Sequence, residues 1–166
     1  VGAGYLRRRV RYDARRLLGV GSGLTHIEPR LRGVRGVMLA GSRNNVVPFY
    51  QAMDMYVLPS LTETTSLSTL EAMASGLPVI TTPVGEAQHY VRKNKTGFKF
   101  SKGDSYELSY HIRRLLDDPK LANKLGTNAR REVEKNFSWD YAAKNISRIL
   151  LKTISQLGSQ TEQTEK

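Results

Sequence analysis

Pro59-Ser60-Leu61-Thr62-Glu63-Thr64-Thr65-Ser66-Leu67-Ser68-Thr69-Leu70-Glu71-Ala72-Met73-Ala74-Ser75-Gly76-Leu77-Pro78-Val79-Ile80 is the stretch that decides the fold. The apolar run Met55-Tyr56-Val57-Leu58 enters it as a strand and stops at Pro59-Ser60. A polar loop follows, then a helix over 67–75 closed by Gly76, then a strand over Pro78-Val79-Ile80-Thr81-Thr82. Seven residues separate Glu63, in the loop, from Glu71, on the helix. A helix start offers unpaired N–H groups and the positive end of the dipole, which suits an anion. A carboxylate beside it accepts hydrogen bonds from hydroxyl groups. The pair therefore suits a ligand that carries both phosphate and hydroxyls. A plainer reading stands next to this one. Ser68-Thr69-Leu70-Glu71 fits a capping box, in which Glu71 bonds its own helix terminus and Glu63 is a loop charge.

Outward from this stretch, strands and helices keep alternating. Val37-Met38-Leu39-Ala40 is a short strand ending at Gly41, and 46–53 is a short helix. Residues 86–93 are helical and Gly97-Phe98-Lys99-Phe100 is a strand. Asp104-Ser105-Tyr106-Glu107 is a capping box for the next helix, and Asp118-Pro119 opens another. Ser138 caps a last helix, with Trp139, Ala142, Ala143, Ile146, Ile149 and Leu150 expected to face inward. At the other end, Leu6, Val10, Ala14, Leu17 and Leu18 follow helical spacing, with arginines mostly opposite. Gly2 to Gly4 then reads as a loop leaving a strand that lies before Val1. The alternation predicts an α/β fold, a Rossmann-like parallel sheet with helices on both faces. Ligands in such sheets sit beyond the carboxyl ends of the strands. That points to four loops, Gly2–Gly4, Gly41–Val46, Pro59–Ser66 and Thr82–Glu86. No linker divides the chain, so residues 1–157 are expected to form one domain and 158–166 a flexible polar tail.

Composition agrees with an ordinary globular domain. The chain has 166 residues, 39% hydrophobic and 25% charged. It has no cysteine, which excludes disulfides, thiolate zinc sites and a cysteine nucleophile. No apolar run approaches the roughly 18 residues of a spanning helix. Lys plus Arg is 26 against 15 for Asp plus Glu, a net charge of +11. Residues 1–43 alone hold ten arginines and no lysine against Asp13 and Glu28. Such an end attracts anions, whether nucleic acid, a membrane surface or a phosphorylated ligand. A solvated helix face is the plainer reading and the one favoured here. A nucleic-acid reader is not favoured, because Tyr5 and Tyr12 are the stretch's only aromatic residues among the basic ones. His26, His89 and His111 show no metal-ligand spacing.

The central stretch resembles the signature of retaining nucleotide-sugar glycosyltransferases with the two-domain GT-B fold. The family pattern is Pro-Ser, a Glu, seven residues, a second Glu, then Ala-Met-Ala-x-Gly-x-Pro-Val. Here it is carried by Pro59, Ser60, Glu63, Glu71, Ala72, Met73, Ala74, Gly76, Pro78 and Val79. The flanks agree at Gly2-x-Gly4, Gly41, Tyr50 to Asp54, Thr82-x-Val84-Gly85, Thr96-Gly97-Phe98 and Phe137-Ser138-Trp139. The resemblance implies that Glu71 bonds the ribose hydroxyls of a nucleotide and that Glu63 lies beside the donor sugar as the catalytic residue. It implies that the backbone around Thr65, Ser66 and Leu67 faces the diphosphate, and that Gly2 and Gly4 border it. The loop at Ser42 and Arg43 then lies where the base is held. No metal and no cofactor are expected.

Two departures stand out. Thr65-Ser66 replaces the frequent Phe-Gly, and Glu86 stands where a second glycine is frequent. A lost glycine restricts the backbone beside the phosphates. The resemblance further implies that the chain is one half of a GT-B fold, lacking its first strand and helix. The basic residues that neutralise the diphosphate and the N-terminal acceptor domain would then lie upstream. The implied function is transfer of a sugar from a nucleotide diphosphate to a hydroxyl acceptor with retention, the chain by itself being folded but inactive. The implied setting is cytoplasmic, with peripheral contact at the membrane face. The alternatives are a non-catalytic nucleotide-binding module, or a basic binder of nucleic acid or membrane surfaces.

Overall fold

The computed structural model describes residues 2–7, 15–20 and 33–164, with side chains described for 33–156. Strands β1 (Gly2–Arg7), β2 (Arg15–Val20), β3 (Val37–Gly41), β4 (Met55–Leu58), β5 (Val79–Thr81) and β6 (Gly97–Lys99) form one six-stranded sheet. Their order is β3-β2-β1-β4-β5-β6. The pairs β2–β3, β4–β5 and β5–β6 are parallel. The helices are α1 (Val47–Ala52), α2 (Leu67–Ala74), α3 (Ala87–Tyr90), α4 (Ser105–Asp117), α5 (Pro119–Asn136) and α6 (Trp139–Thr164). Two compact units result, Val1–Val133 with the sheet and Glu134–Lys166.

Side-chain alternation along the strands builds two cores, one on each face of the sheet. Tyr56, Leu58 and Val79 pack with Tyr50 of α1, Ala72 and Met73 of α2, Tyr90 of α3 and Ala129 and Val133 of α5. Met55, Val57 and Ile80 point the other way, onto Phe98, Leu115, Leu116 and Leu125. All four residues of β4 are buried, which is why its pattern is a continuous apolar run. The sandwiching of β4 and β5 between helices fixes the direction of the loops that leave them.

The amino end of the chain differs from the expected helix and loop. Gly2–Arg7 and Arg15–Val20 are strands, paired antiparallel, and β1 also pairs antiparallel with β4. The rest of the expected helix, 8–14, lies outside the described residues. Leu17-Leu18-Gly19-Val20 is a short apolar run, and periodicity alone does not separate such a run from a buried strand. Backbone pairing decides it. Without a neighbour on that side, the buried β4 would leave its N–H and C=O groups unmatched. The sheet is therefore parallel with one antiparallel strand, β1, inside it.

The helix signals hold in detail. Asp104 Oδ1 accepts the Glu107 N–H at 2.8 Å, and Glu107 Oε2 reaches back to the Ser101 N–H at 2.7 Å. Ser138 Oγ accepts the Tyr141 N–H at 3.2 Å. Helix α6, however, runs on to Thr164 through the polar residues expected to be a tail. Residues of it expected to face inward are exposed. Trp139 is 91% exposed, and Ile146, Ile149 and Leu150 are exposed too. The spacing does gather them on one face, but among the described residues the cores are completed by α4 and α5.

Gly126 of α5 packs against the turn at Gly76. A Cβ there would collide with the Gly76 carbonyl oxygen, and the obstacle is backbone on both sides. Alanine normally gains about 1 kcal/mol over glycine in a helix interior. Overpacking against backbone costs about 1–3 kcal/mol, so the collision wins. Gly126→Ala is expected to lower the urea midpoint, where an exposed helical glycine would raise it.

His111 is buried and stacked on Phe98, with ring centroids 4.5 Å apart, and its Nδ1 has no hydrogen-bond partner. Burial holds its pKa below the ordinary 6.5, helped by Arg114 and Lys93 and opposed by Glu107, 3.9 Å away. The unfolded chain thus binds a proton before the folded one does. Stability is full above the unfolded value and is lost as pH falls through the folded one. Urea midpoints measured from pH 7.5 downward should fall, and His111→Gln should flatten that fall below pH 6.5.

Candidate functional site

The loops after β4 and β5 meet beyond the carboxyl ends of these strands. Thr64 C=O accepts the Glu86 N–H at 2.9 Å, and Ser60 C=O accepts the Thr82 hydroxyl. Gly85, at φ +49°, makes this approach possible, since a Cβ would collide with the carbonyl oxygens of Glu63 and Thr64. The first loop is thereby clamped by the second. Within it the Ser60 hydroxyl donates to Glu63 Oε1 at 2.8 Å, which orients a half-buried carboxylate.

Helix α2 begins directly after this loop. Its cap is Ser66, whose Oγ accepts the Thr69 N–H at 3.3 Å. Ser66 stands at φ −84° and ψ 94°, a conformation open to any residue. Its replacement of glycine therefore strains nothing, and Glu86 at φ −70° is equally ordinary. Among the described residues the N–H groups of Leu67 and Ser68 have no acceptor. They are the orphan donors that a helix start presents to an anion.

The capping box at Ser68 is not formed, because the cap lies two residues earlier. Glu71 does not bond its own helix terminus. Its Oε2 accepts instead from the Tyr50 hydroxyl of α1, at 3.0 Å. Tyr56 donates similarly to Ser68 Oγ at 2.7 Å, and Ser68 Oγ lies 3.1 Å from Ser66 Oγ. Tyr90 OH reaches the Ser66 carbonyl at 3.4 Å. Burial raises the Tyr50 phenol and pushes Tyr56 and Tyr90 up to about 12, so all three remain donors at neutral pH. Three tyrosines thus hold the start of α2 from beneath. None was singled out as a site residue by the sequence, although the Tyr50 to Asp54 approach was visible.

Ser42 and Arg43 lie exposed on the loop after β3. Arg43 borders a cavity of about 500 Å³ lined also by Met38, Leu39, Ala40, Phe49 and Ala52. The register Gly2↔Val20↔Gly41 puts Gly2, on an interior strand, at the end of the sheet from which this loop leaves. Gly4 sits inside the sheet opposite Tyr56, so Gly2 to Gly4 is strand rather than loop. Glu63, Thr65, Ser66, Leu67 and Glu71 are gathered along one loop and helix. Among the described residues no three His, Asp or Glu side chains converge to hold a metal.

Comparison with known proteins bears on the family and the fold. The chain is 38% identical over 100 residues to the sulfoquinovosyl transferase of Arabidopsis thaliana, covering 58% of this chain and 19% of that protein. Sucrose-phosphate synthase from Thermosynechococcus elongatus superposes with a TM-score of 0.75 at 30% identity, over 84% of this chain and 38% of that one. HepE of Anabaena, solved in complex with UDP, gives 0.73 at 24% identity, over 81% and 40%. The chain spans between 19% and 33% of the length of the curated relatives compared. These neighbours are GT-B glycosyltransferases. The family model for glycosyl transferases group 1 matches residues 5–118, and the chain belongs to that family.

Proposed function

We propose that this chain is the donor-binding half of a glycosyltransferase, which holds a nucleotide-diphosphate sugar across the start of α2. The observation that carries the reading is Glu71. Its carboxylate is fixed beside the orphan N–H groups of Leu67 and Ser68 rather than spent on a capping box. Hydroxyl acceptor and phosphate donor groups thus lie on consecutive turns. UDP bound to a structural neighbour is in keeping with this use of the fold. In the longer protein, an acceptor domain would supply the attacking hydroxyl. The departing nucleoside diphosphate gains negative charge, which the Leu67 and Ser68 amides would stabilise. Glu63 would face the donor sugar from the clamped loop. Retention at the anomeric carbon, independence of metal, and a cytoplasmic setting with peripheral membrane contact belong to the same reading. The chain alone would bind donor but show no transfer.

Calorimetric titration with UDP, GDP, ADP and their sugar conjugates tests this. One nucleotide should bind, and Glu71→Ala should lose about 1.5–3 kcal/mol, the worth of a hydrogen bond to a charged group. That is about 10- to 150-fold in affinity. A folded chain that binds none of them, or a Glu71→Ala variant that binds as well as the parent, contradicts the reading.

A further inference from the structure

We infer that Tyr50 is a positioning residue that sets how Glu71 reads the ribose, an inference that rests on the nucleotide reading above. Glu71 is an exposed side chain on α2, and such a side chain ordinarily samples many rotamers. Here one oxygen is taken. Tyr50 is 7% exposed, and its hydroxyl donates to Glu71 Oε2 at 3.0 Å. The Tyr50 ring is itself held edge-on to Tyr56, centroids 6.0 Å apart at 61°. Tyr56 in turn bonds Ser68 on the same helix. The carboxylate is therefore tethered to the core through a rigid aromatic pair, and Oε1 has no partner among the described residues.

The consequence is a carboxylate presented in one orientation before any ligand arrives. Two hydroxyls of a ribose need acceptors at fixed positions, and a tethered carboxylate meets them without further ordering. Tyr50 touches no ligand in this scheme and acts through Glu71. Its hydrogen bond spans two helices joined by β4 and the Glu63 loop, so it also ties the base-side loop to the helix that faces the phosphates. Burial raises the phenol, in part through the neighbouring carboxylate, and this keeps the proton on oxygen.

The test uses UDP and 2′,3′-dideoxyuridine diphosphate, which lacks both ribose hydroxyls, titrated into the chain and its variants. The parent should prefer UDP by about 10-fold or more. Tyr50→Phe keeps the ring and loses only the donor. It should weaken UDP by about 2- to 12-fold, the effect of leaving one side chain to be ordered on binding, and leave the dideoxy compound unchanged. In a Glu71→Ala background, Tyr50→Phe should change neither affinity. Should Tyr50→Phe not fold, side-chain 13C relaxation of Glu71 in the unliganded parent reads the tether directly: an arm ordered on the scale of the core is expected, and one as mobile as the other exposed glutamates overturns the inference. A purely structural tyrosine would move both ligands together, and that result overturns the inference. So does a folded Tyr50→Phe with the parent's preference intact, which leaves the nucleotide reading standing. Where GDP or ADP is the nucleotide that binds, it and its 2′,3′-dideoxy analogue replace this pair; a parent that does not distinguish the two members of its pair fails at the earlier step and takes both readings with it.

Discussion

Replacing Glu63 by glutamine, in the longer protein that the proposed function calls for, is expected to lower kcat by about 10²- to 10³-fold, the usual loss when one preorganised charge-stabilising group leaves an active site. The substitution keeps the shape and the acceptor for Ser60, whose hydroxyl now lies 2.8 Å from Glu63 Oε1. It removes the negative charge beside the place assigned to the donor sugar. Nucleotide affinity should hold, because the groups assigned to the nucleotide are those of the Ser42–Arg43 loop, the Thr65–Ser66 backbone and α2. A fall in kcat with Kd for the nucleoside diphosphate unchanged is the expected signature. Unaltered kcat would return Glu63 to a loop charge. Equal loss of affinity would place it in the nucleotide site instead.

The second large effect is expected at Gly85. Alanine there must accept a left-handed backbone at φ +49° and a Cβ driven into the carbonyl oxygens of Glu63 and Thr64. Strain of about 1–2 kcal/mol and overpacking of about 1–3 kcal/mol act together. The relief available is to part the two loops, which breaks the Glu86 N–H to Thr64 C=O bond and shifts Glu63. Stability and transfer should therefore fall together in Gly85→Ala, by urea denaturation and by turnover of the longer protein. A variant as stable and active as the parent would show that the loops are not clamped at this point.

The residues that shape the site were largely legible in the sequence. Met55–Leu58, Pro59–Ser66, the helix to Gly76 and the strand at Val79 are where the apolar run, the turn residues and the glycine stop put them. These signals are local, and local physics reads them. The misreadings came from interactions between distant segments. Gly2–Arg7 and Arg15–Val20 pair as strands because a buried β4 needs a neighbour, a demand that helical spacing of leucines does not reveal. Trp139 and Ile149 follow a helical stripe, but a stripe says which residues share a face and not what covers it. The Glu71 capping box failed because Ser66 and Ser68 are both competent caps, and hydrogen bonds to Tyr56 and Thr69 decide between them. Tyr50 lies 21 residues from Glu71, so only the folded chain shows that they meet.

Ser66 and Glu86, which stand where the family pattern often has glycine, put no strain on the backbone. Ser66 and Glu86 both stand at negative φ, where a side chain costs nothing. The glycine that geometry requires is Gly85, and it is present.

The most direct test of a nucleotide site at the start of α2 is amide NMR of the labelled chain during a UDP titration. The Leu67 and Ser68 amides, without acceptors among the described residues, should shift most, with Glu71 and the Ser42–Arg43 loop following and α4 and α5 still. GDP and ADP are titrated in the same way, and shifts confined to other elements, or none at Leu67 and Ser68 at millimolar concentration of any of the three, would contradict the account.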